Sequence, residues 1–307
     1  MVFRNCILTE KTQDYVRPFI LRQGGVRGRF AGLDQTVDTI LRKQNYPEAI
    51  ARLVGEAIVV CALVANGFKL RHRFSIQLKT DGELRLLMAE FTAGGEMRAY
   101  ASFDDAARSY SAEQAYNLVG RGTMAMIIDN GPGSEPYQGI VPLTGGDFAE
   151  SVEFYFNQSD QIDTVIRLGV AQQQEPETKY LARGVLLQNL PAEGGLAVGG
   201  DEDAFVTAQA LLHTLKDVEL YDEGLDANQL LYNLFHEMEV AVLDDQQVHF
   251  GCSCTRERIG VAICVYDQEG VENLPPQEMI AADCQFCGEQ YVFSGAELKI
   301  LQEENQS

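Results

Sequence analysis

The chain has 307 residues, of which 46% are hydrophobic, and it contains no tryptophan. That length suggests about two domains with a sizeable core, while the longest apolar run, Ala57 to Ala65, is nine residues, far short of the roughly 20 a membrane-spanning helix needs. Net charge is -21 and unevenly placed: residues 1–200 carry 23 acids and 20 bases, residues 201–307 carry 22 acids and 4 bases, and so acidic an end repels phosphate backbones and argues against nucleic-acid binding.

Met1 to Tyr15 holds no apolar block of signal-peptide type, so a cytoplasmic protein is expected. The first strong element is a helix opened by Asn45-Tyr46-Pro47, with Pro47 at its first turn. It runs through Ile50, Leu53, Val54, Ala57, Ile58, Cys61 and Val64 to stop near Gly67, apolar nearly all round and therefore buried. Phe74 to Leu78 alternates like a strand, Thr80-Asp81-Gly82-Glu83 turns the chain, and Leu84 to Phe91 returns. Met97 to Phe103, Thr123 to Asp129 and Thr164 to Val170 read as further strands, with a helix over Phe148 to Phe156. Strands and helices without a regular βαβ rhythm predict an α+β domain with a largely antiparallel sheet, closing near Leu186 to Pro191.

The glycine-rich stretch 192–203 reads as a linker. Two short amphipathic helices follow. Phe205, Ala208, Leu212 and Leu215 share one face of the first. Asp226 and Gln229 have capping-box spacing before Leu230, Leu231, Leu234 and Phe235 in the second. Helices this short are marginal alone and need a surface to lie on. Val240, Val242, Val248 and Phe250 around Asp244-Asp245 predict a hairpin. Thr255 can cap a helix carrying Ile259, Ala262, Ile263 and Tyr266. Pro275-Pro276 opens a turn or helix, Tyr291-Val292-Phe293 forms a short strand, and Ser294 with Glu297 caps a final helix. The chain thus divides into a core domain at 1–191, an acidic helical linker at 192–237 and a small C-terminal domain at 238–307.

That last domain carries Cys252-Ser253-Cys254 and Cys284-Gln285-Phe286-Cys287. Four thiolates in two tight pairs satisfy one closed, tetrahedral, structural zinc site, and in a reducing compartment paired cysteines are more often ligands or redox groups than structural disulfides. Zinc in such a site contributes about 10–16 kcal/mol to folding. Disulfides within the pairs close loops of three and four residues, worth only about 1.5–2 kcal/mol each. Local pairing would therefore eject zinc and unfold the domain, whereas bridges between the pairs, such as Cys252 to Cys284, would staple it. The residues alone leave both open. Cys61 and Cys264 read as packing, and Cys6 shows no partner. His249 stands three residues before Cys252 as a surface strand histidine rather than a ligand, and His72, His213 and His236 sit in unrelated contexts. A catalytic zinc keeps a position open; four cysteines leave none, and residues 1–190 show no convergent acid, base or nucleophile, so no enzyme is expected. The rival classes are a zinc-ribbon regulator that binds nucleic acid and a metalloenzyme with a structural zinc tail.

The runs His236-Glu237-Met238-Glu239-Val240, Phe250-Gly251-Cys252-Ser253-Cys254-Thr255-Arg256-Glu257-Arg258 and Asp283-Cys284-Gln285-Phe286-Cys287-Gly288, the last with Tyr291-Val292-Phe293, closely resemble the 33 kDa chaperonin family, the redox-regulated heat-shock holdases of bacteria. Upstream, Arg27-Gly28-Arg29, Tyr46-Pro47, Tyr137 to Leu143 and Leu186 to Pro191 extend the resemblance over nearly the whole chain. It implies a reduced, inactive form holding one Zn2+ through Cys252, Cys254, Cys284 and Cys287. It implies that oxidation forms Cys252–Cys254 and Cys284–Cys287 disulfides, releases zinc, unfolds the C-terminal domain and linker, and permits a homodimer. Exposed apolar surface then holds unfolding client proteins without ATP. Two positions depart from the pattern: Cys264 is an extra thiol in the switch, and Arg183 stands in Ala182-Arg183-Gly184 where a small residue is expected.

Overall fold

The computed structural model describes residues 14–144, 146–174, 178–189, 202–222 and 224–306. Cys6 and nearly all of the 192–203 stretch lie outside them. The chain divides into two compact units, Met1–Phe250 and Gly251–Ser307. No helix among the described residues is long and apolar enough to cross a membrane.

In chain order the first unit contains β1 (Tyr15–Leu21), β2 (Val26–Gly32), α1 (Asp34–Gln44), α2 (Glu48–Ala65), β3 (Arg73–Thr80), β4 (Leu84–Thr92), β5 (Glu96–Phe103), β6 (Gly122–Asp129), β7 (Tyr137–Pro142), α3 (Phe148–Tyr155), β8 (Asp163–Gln173), β9 (Lys179–Asn189), α4 (Glu202–His213), α5 (Asp217–Leu220), α6 (Ala227–Phe235), β10 (Val240–Val242), β11 (Gln246–Gln247) and β12 (His249–Phe250). One sheet runs β10-β1-β2-β9-β8, with β11 also on β1, and the other runs β12-β5-β4-β3-β6-β7. Pairing is antiparallel except where β12 joins β5. This is the α+β architecture with antiparallel sheets that the pattern predicts.

Helix α2 explains how two sheets share one core. Only Glu48 and Arg52 of its residues escape burial. It packs on β2, β8 and β9 of one sheet and on β3, β4 and β5 of the other. The cluster it centres takes Phe74, Ile76 and Phe91 from one side and Ile166, Leu168, Ala182 and Leu186 from the other. Asp14 secures α1 nearby, its carboxylate accepting from Gln35 N at 3.1 Å and Thr36 N at 2.5 Å, two of the amides a helix start leaves unpaired.

The opposite face of the first sheet carries a second cluster. Phe19, Leu21, Val26, Phe30, Val165, Val185 and Leu187 meet Phe205, Ala208, Leu212 and Leu215, then Leu220, Leu230, Leu231 and Phe235. The apolar stripes of the two linker helices are thus all spent on one sheet face. Asp226 caps α6 as expected, accepting from Asn228 N and Gln229 N. Gln229 does not return the bond; its Nε2 donates to Asn233 Oδ1 at 2.7 Å. The hairpin expected around Asp244-Asp245 is not formed. β10 and β11 both pair with β1, and β12 pairs with β5, because the edge of β1 offers longer partners than the two short strands offer each other.

The second unit holds α7 (Arg256–Tyr266), α8 (Gln268–Asn273), the β13 (Met279–Asp283) and β14 (Gln290–Ser294) hairpin, and α9 (Gly295–Gln306). Its buried cluster is Cys264, Val271, Phe293 and Leu298. The face of α7 differs from the expected one: Gly260 and Cys264 are buried, while Ala262 and Tyr266 are exposed. Gly260 is there because Leu301 Cδ1 lies 2.4 Å from where a Cβ would stand.

Candidate metal centre

The first cysteine pair sits immediately before α7. Thr255 caps that helix, its side chain accepting from Arg258 N at 3.3 Å. One turn in, Arg258 Nη1 reaches back to donate to Ser253 O at 2.8 Å, fixing the backbone between Cys252 and Cys254. The second pair occupies the turn between β13 and β14. Cys284 N donates to Glu289 O at 2.8 Å and Gly288 N donates to Cys284 O at 2.7 Å, so the chain doubles back tightly. Gly288 does this with φ +74, a conformation in which a side chain is strained. Gln290 Nε2 braces the base of the turn on Asp283 Oδ1 at 3.0 Å. Arg256 links the two halves: its Nη2 donates to Val292 O at 2.6 Å and to Glu297 Oε1 at 2.9 Å, and its guanidinium lies 4.6 Å over the Phe293 ring. Ser294 and Glu297 complete the expected capping box, each accepting from the other's backbone N–H.

These elements bring all four sulfurs within 4.8 Å of one another. Cys252 Sγ lies 3.7 Å from Cys284 Sγ, and Cys254 Sγ lies 3.4 Å from Cys287 Sγ. A tetrahedron of Zn–S bonds of about 2.3 Å has edges of about 3.8 Å, whereas a disulfide draws sulfurs to about 2.05 Å. The four cysteines are unbridged. Spacing and donor set fit one closed tetrahedral zinc with no position left for a substrate. Burial pushes the Cys254 thiol up, but hydrogen bonds from Tyr291 Oη and from the neighbouring thiols outweigh it, and the net shift is down. Burial and shared hydrogen bonds push Cys287 up.

The remaining candidates separate from this group. Cys264 is buried and its Sγ donates to Leu298 O at 3.3 Å. Cys61 is enclosed in α2, 3.5 Å from Ala89 O. His249 is exposed on β12, His72 lies 3.8 Å from Asp129, the His236 ring lies tilted 5.4 Å from that of Tyr232, and His213 ends α4. Two residues with roles here were not singled out by spacing. Tyr291 directs its hydroxyl at Cys254 Sγ, 3.3 Å away; its place on the Phe293 face of β14 was the available signal. Arg258 holds the first knuckle; it stands in the run that carries the family resemblance, but its spacing alone does not distinguish it from a surface arginine.

The chain is similar to known proteins along nearly its whole length. The Hsp33 protein family profile matches residues 14–294. A 33 kDa chaperonin of Caulobacter vibrioides is 33% identical over 285 residues, covering 91% of this chain and 94% of its own. Another from Photobacterium profundum is 33% identical over 293 residues, covering 95% and 96%. The crystal structure of the 33 kDa chaperonin of Thermotoga maritima superposes with a TM-score of 0.75 at 20% identity, over 96% of this chain and 99% of that one.

Proposed function

The chain belongs to the Hsp33 family, and from that premise we propose that it is a redox-controlled holdase whose four cysteines are the switch. Family membership makes it a chaperone for unfolded proteins; the control mechanism is the further step. The observation that carries it is the gathering of Cys252, Cys254, Cys284 and Cys287 within 4.8 Å in a unit whose buried cluster is only four side chains. A core that small supplies little stability of its own. A zinc ion bound there supplies the missing folding energy by joining the two knuckles.

In this reading the parts are a core at 1–191, a helical linker at 192–237 and a switch at 238–307. Oxidation pairs Cys252 with Cys254 and Cys284 with Cys287. Each bridge then lies within one knuckle, so nothing ties the α7 side to the β13–β14 turn. The unit unfolds and releases its metal. Loss of order passes along the chain to α4–α6, whose removal uncovers Phe19, Leu21, Val26, Phe30, Val185 and Leu187 on the first sheet. Contiguous apolar surface of that kind binds unfolding chains by burial and needs no ATP. The uncovered face also suits association of two oxidised copies. The protein acts by binding, not catalysis, and works in the cytoplasm.

The test follows metal release, thiol loss and disulfide mapping together during peroxide treatment with mild heat. The expected result is concerted loss of zinc and four thiols, local bridges, and the onset of aggregation suppression for an unfolding client. Zinc retained by fully oxidised protein, bridges between the knuckles, or equal suppression by reduced and oxidised forms would sink the mechanism.

A further inference from the structure

Tyr291 is held at two points. Its backbone pairs with Ala282 across the β13–β14 hairpin, and its ring packs against the cluster of Cys264, Val271, Phe293 and Leu298. The fixed ring leaves the hydroxyl 3.3 Å from Cys254 Sγ, donating to it. A hydrogen bond to a thiolate is charge-assisted and draws electron density from the sulfur. Outer-shell bonds of this kind tune how a metal-bound ligand reacts.

We infer that Tyr291 is a positioning residue that restrains oxidation of Cys254 by holding its sulfur in a hydrogen bond. The inference rests on the redox reading above. In the step concerned, the Cys254 thiolate attacks one oxygen of a peroxide. An S–O bond forms, the O–O bond breaks, and hydroxide leaves and takes up a proton to become water. Sulfur is oxidised by two electrons to a sulfenic acid and the peroxide is reduced. The Cys252 thiolate then attacks that sulfur, forming S–S and breaking S–O, and a second hydroxide leaves. The Tyr291 hydrogen bond opposes the first attack, because the lone pair it engages is part of the density that must reach the peroxide. The switch then answers to strong oxidant pulses more than to background levels.

Tyr291→Phe removes the hydroxyl and keeps the ring. Tyr266→Phe, at a side chain 95% exposed at the end of α7, serves as the control. The full-length protein is loaded with cobalt(II) in place of zinc, and its thiolate-to-metal charge-transfer bands are recorded. The zinc-loaded protein is then treated with peroxide and metal release is timed. Tyr291→Phe is expected to bind one metal per chain, to shift the charge-transfer bands to longer wavelength, and to release zinc faster by roughly 10-fold, the scale of outer-shell changes at metal sites. Tyr266→Phe is expected to match the wild type. Superimposable cobalt spectra overturn the assignment of the hydrogen bond. Shifted spectra with an unchanged release rate overturn the restraint. If wild-type protein holds its zinc under peroxide, the redox reading fails and with it the restraint, while the cobalt spectra still decide the hydrogen bond.

Discussion

Arg183 and Asp34 meet at 3.0 Å, with Nη2 of the arginine donating to the carboxylate. Nη1 of the same guanidinium donates to the carbonyls of Leu220 and Asp222, at 3.0 Å each. One side chain therefore joins β9, the start of α1 and the end of α5. It projects from the face that also carries Val185 and Leu187, the face covered by the linker helices. This is what an arginine does in a place where a small residue was expected. Arg167 and Arg17 make related ties, Arg167 Nη2 to Asp217 and Arg17 Nη1 to Asn228 Oδ1 at 2.9 Å.

Replacing Arg183 by alanine removes the ties to Leu220, Asp222 and Asp34 together. Hydrogen bonds from a charged donor are worth about 1.5–3 kcal/mol each, and partial exposure of Asp34 reduces the sum. A local loss of about 2 kcal/mol in the seating of α5 and its neighbours is expected. Amide exchange across α4–α6 should accelerate in the reduced, metal-loaded protein, and its idle holding activity should rise. Unchanged exchange rates in these helices would show that the apolar contacts alone seat them.

Phe235 tests those contacts. Its ring lies 5.9 Å from that of Phe19, and both side chains are fully enclosed. Phe235→Ala leaves a cavity costing about 3–5 kcal/mol. The cluster around α2 is separate from the one beneath α4–α6, so the loss should appear as exposure of the linker helices and not as a lower melting temperature of the α2 core. Exchange measured helix by helix separates the two. A uniform loss of protection in α2 and α6 would mean that the helices are part of the core and not a cover on it.

The division between what the sequence reveals and what it hides follows from the same two clusters. α2 and the β3–β4 hairpin were legible because a continuous apolar helix and alternating strands around Asp81-Gly82 have unambiguous periods. β1 and β2 were not. Arg17, Pro18, Arg27 and Arg29 interrupt their pattern, and Gly28 reads as a turn. Gly28 is in fact required in the strand, because the Phe19 ring comes within 2.1 Å of where a Cβ would be. β9 hid for the opposite reason: both its faces are covered, so Val185, Leu186 and Leu187 run together without alternation. α1 lacked a local N-cap, since the Asp14 that accepts from Gln35 N and Thr36 N comes from another part of the chain, although Val37, Ile40 and Leu41 do form a helical stripe. The four cysteines that the fold gathers were the ones singled out from spacing, because knuckle spacing is local. Tyr291 was not, since a hydroxyl's aim depends on hairpin register.

Glu56 gives a pH dependence. It lies in α2, 8% exposed, with Arg52 Nε 2.9 Å away. Burial holds its carboxyl above the ordinary carboxylate range, against the pull of Arg52. The folded state therefore keeps this proton to higher pH than the unfolded state does. The contribution to stability is complete below the unfolded value of about 4.3 and is lost as pH rises through the folded value. Glu56→Gln has no charge to bury, so its stability relative to wild type should improve as pH rises from the unfolded carboxylate value through the higher folded one. Urea unfolding followed at several pH values reads the difference. A gap that is flat with pH would mean that Arg52 compensates the carboxylate fully.

Cys264 is expected to stand outside the switch. Burial pushes its thiol up, and its Sγ donates to Leu298 O inside the small cluster. In metal-loaded protein it should resist alkylation, and it should react only once the unit opens. Cys264→Ala should cost about 1 kcal/mol and leave metal stoichiometry and disulfide pairing unchanged. Mapped bridges from Cys264 to Cys252 or Cys284 in wild-type protein would instead make it a competitor within the site.

Removing the metal should do more to Gly251–Ser307 than any of these substitutions. The contribution of a structural zinc, about 10–16 kcal/mol, exceeds the roughly 3–5 kcal/mol a core of small size provides, and here the core is Cys264, Val271, Phe293 and Leu298. The capping box at Ser294 and Glu297 and the Arg256 bridge help only when the hairpin and α9 are already in place. A strong chelator under reducing conditions is therefore expected to abolish amide protection in α7, β13, β14 and α9, while the α2 core keeps its own. Readdition of zinc should restore it with a stoichiometry of one, and a Cys284→Ser variant should remain open at zinc concentrations that close the wild type. Protection of α7 and α9 that survives chelation would mean that the small cluster suffices, and the four sulfurs would then be a binding site without leverage over the fold.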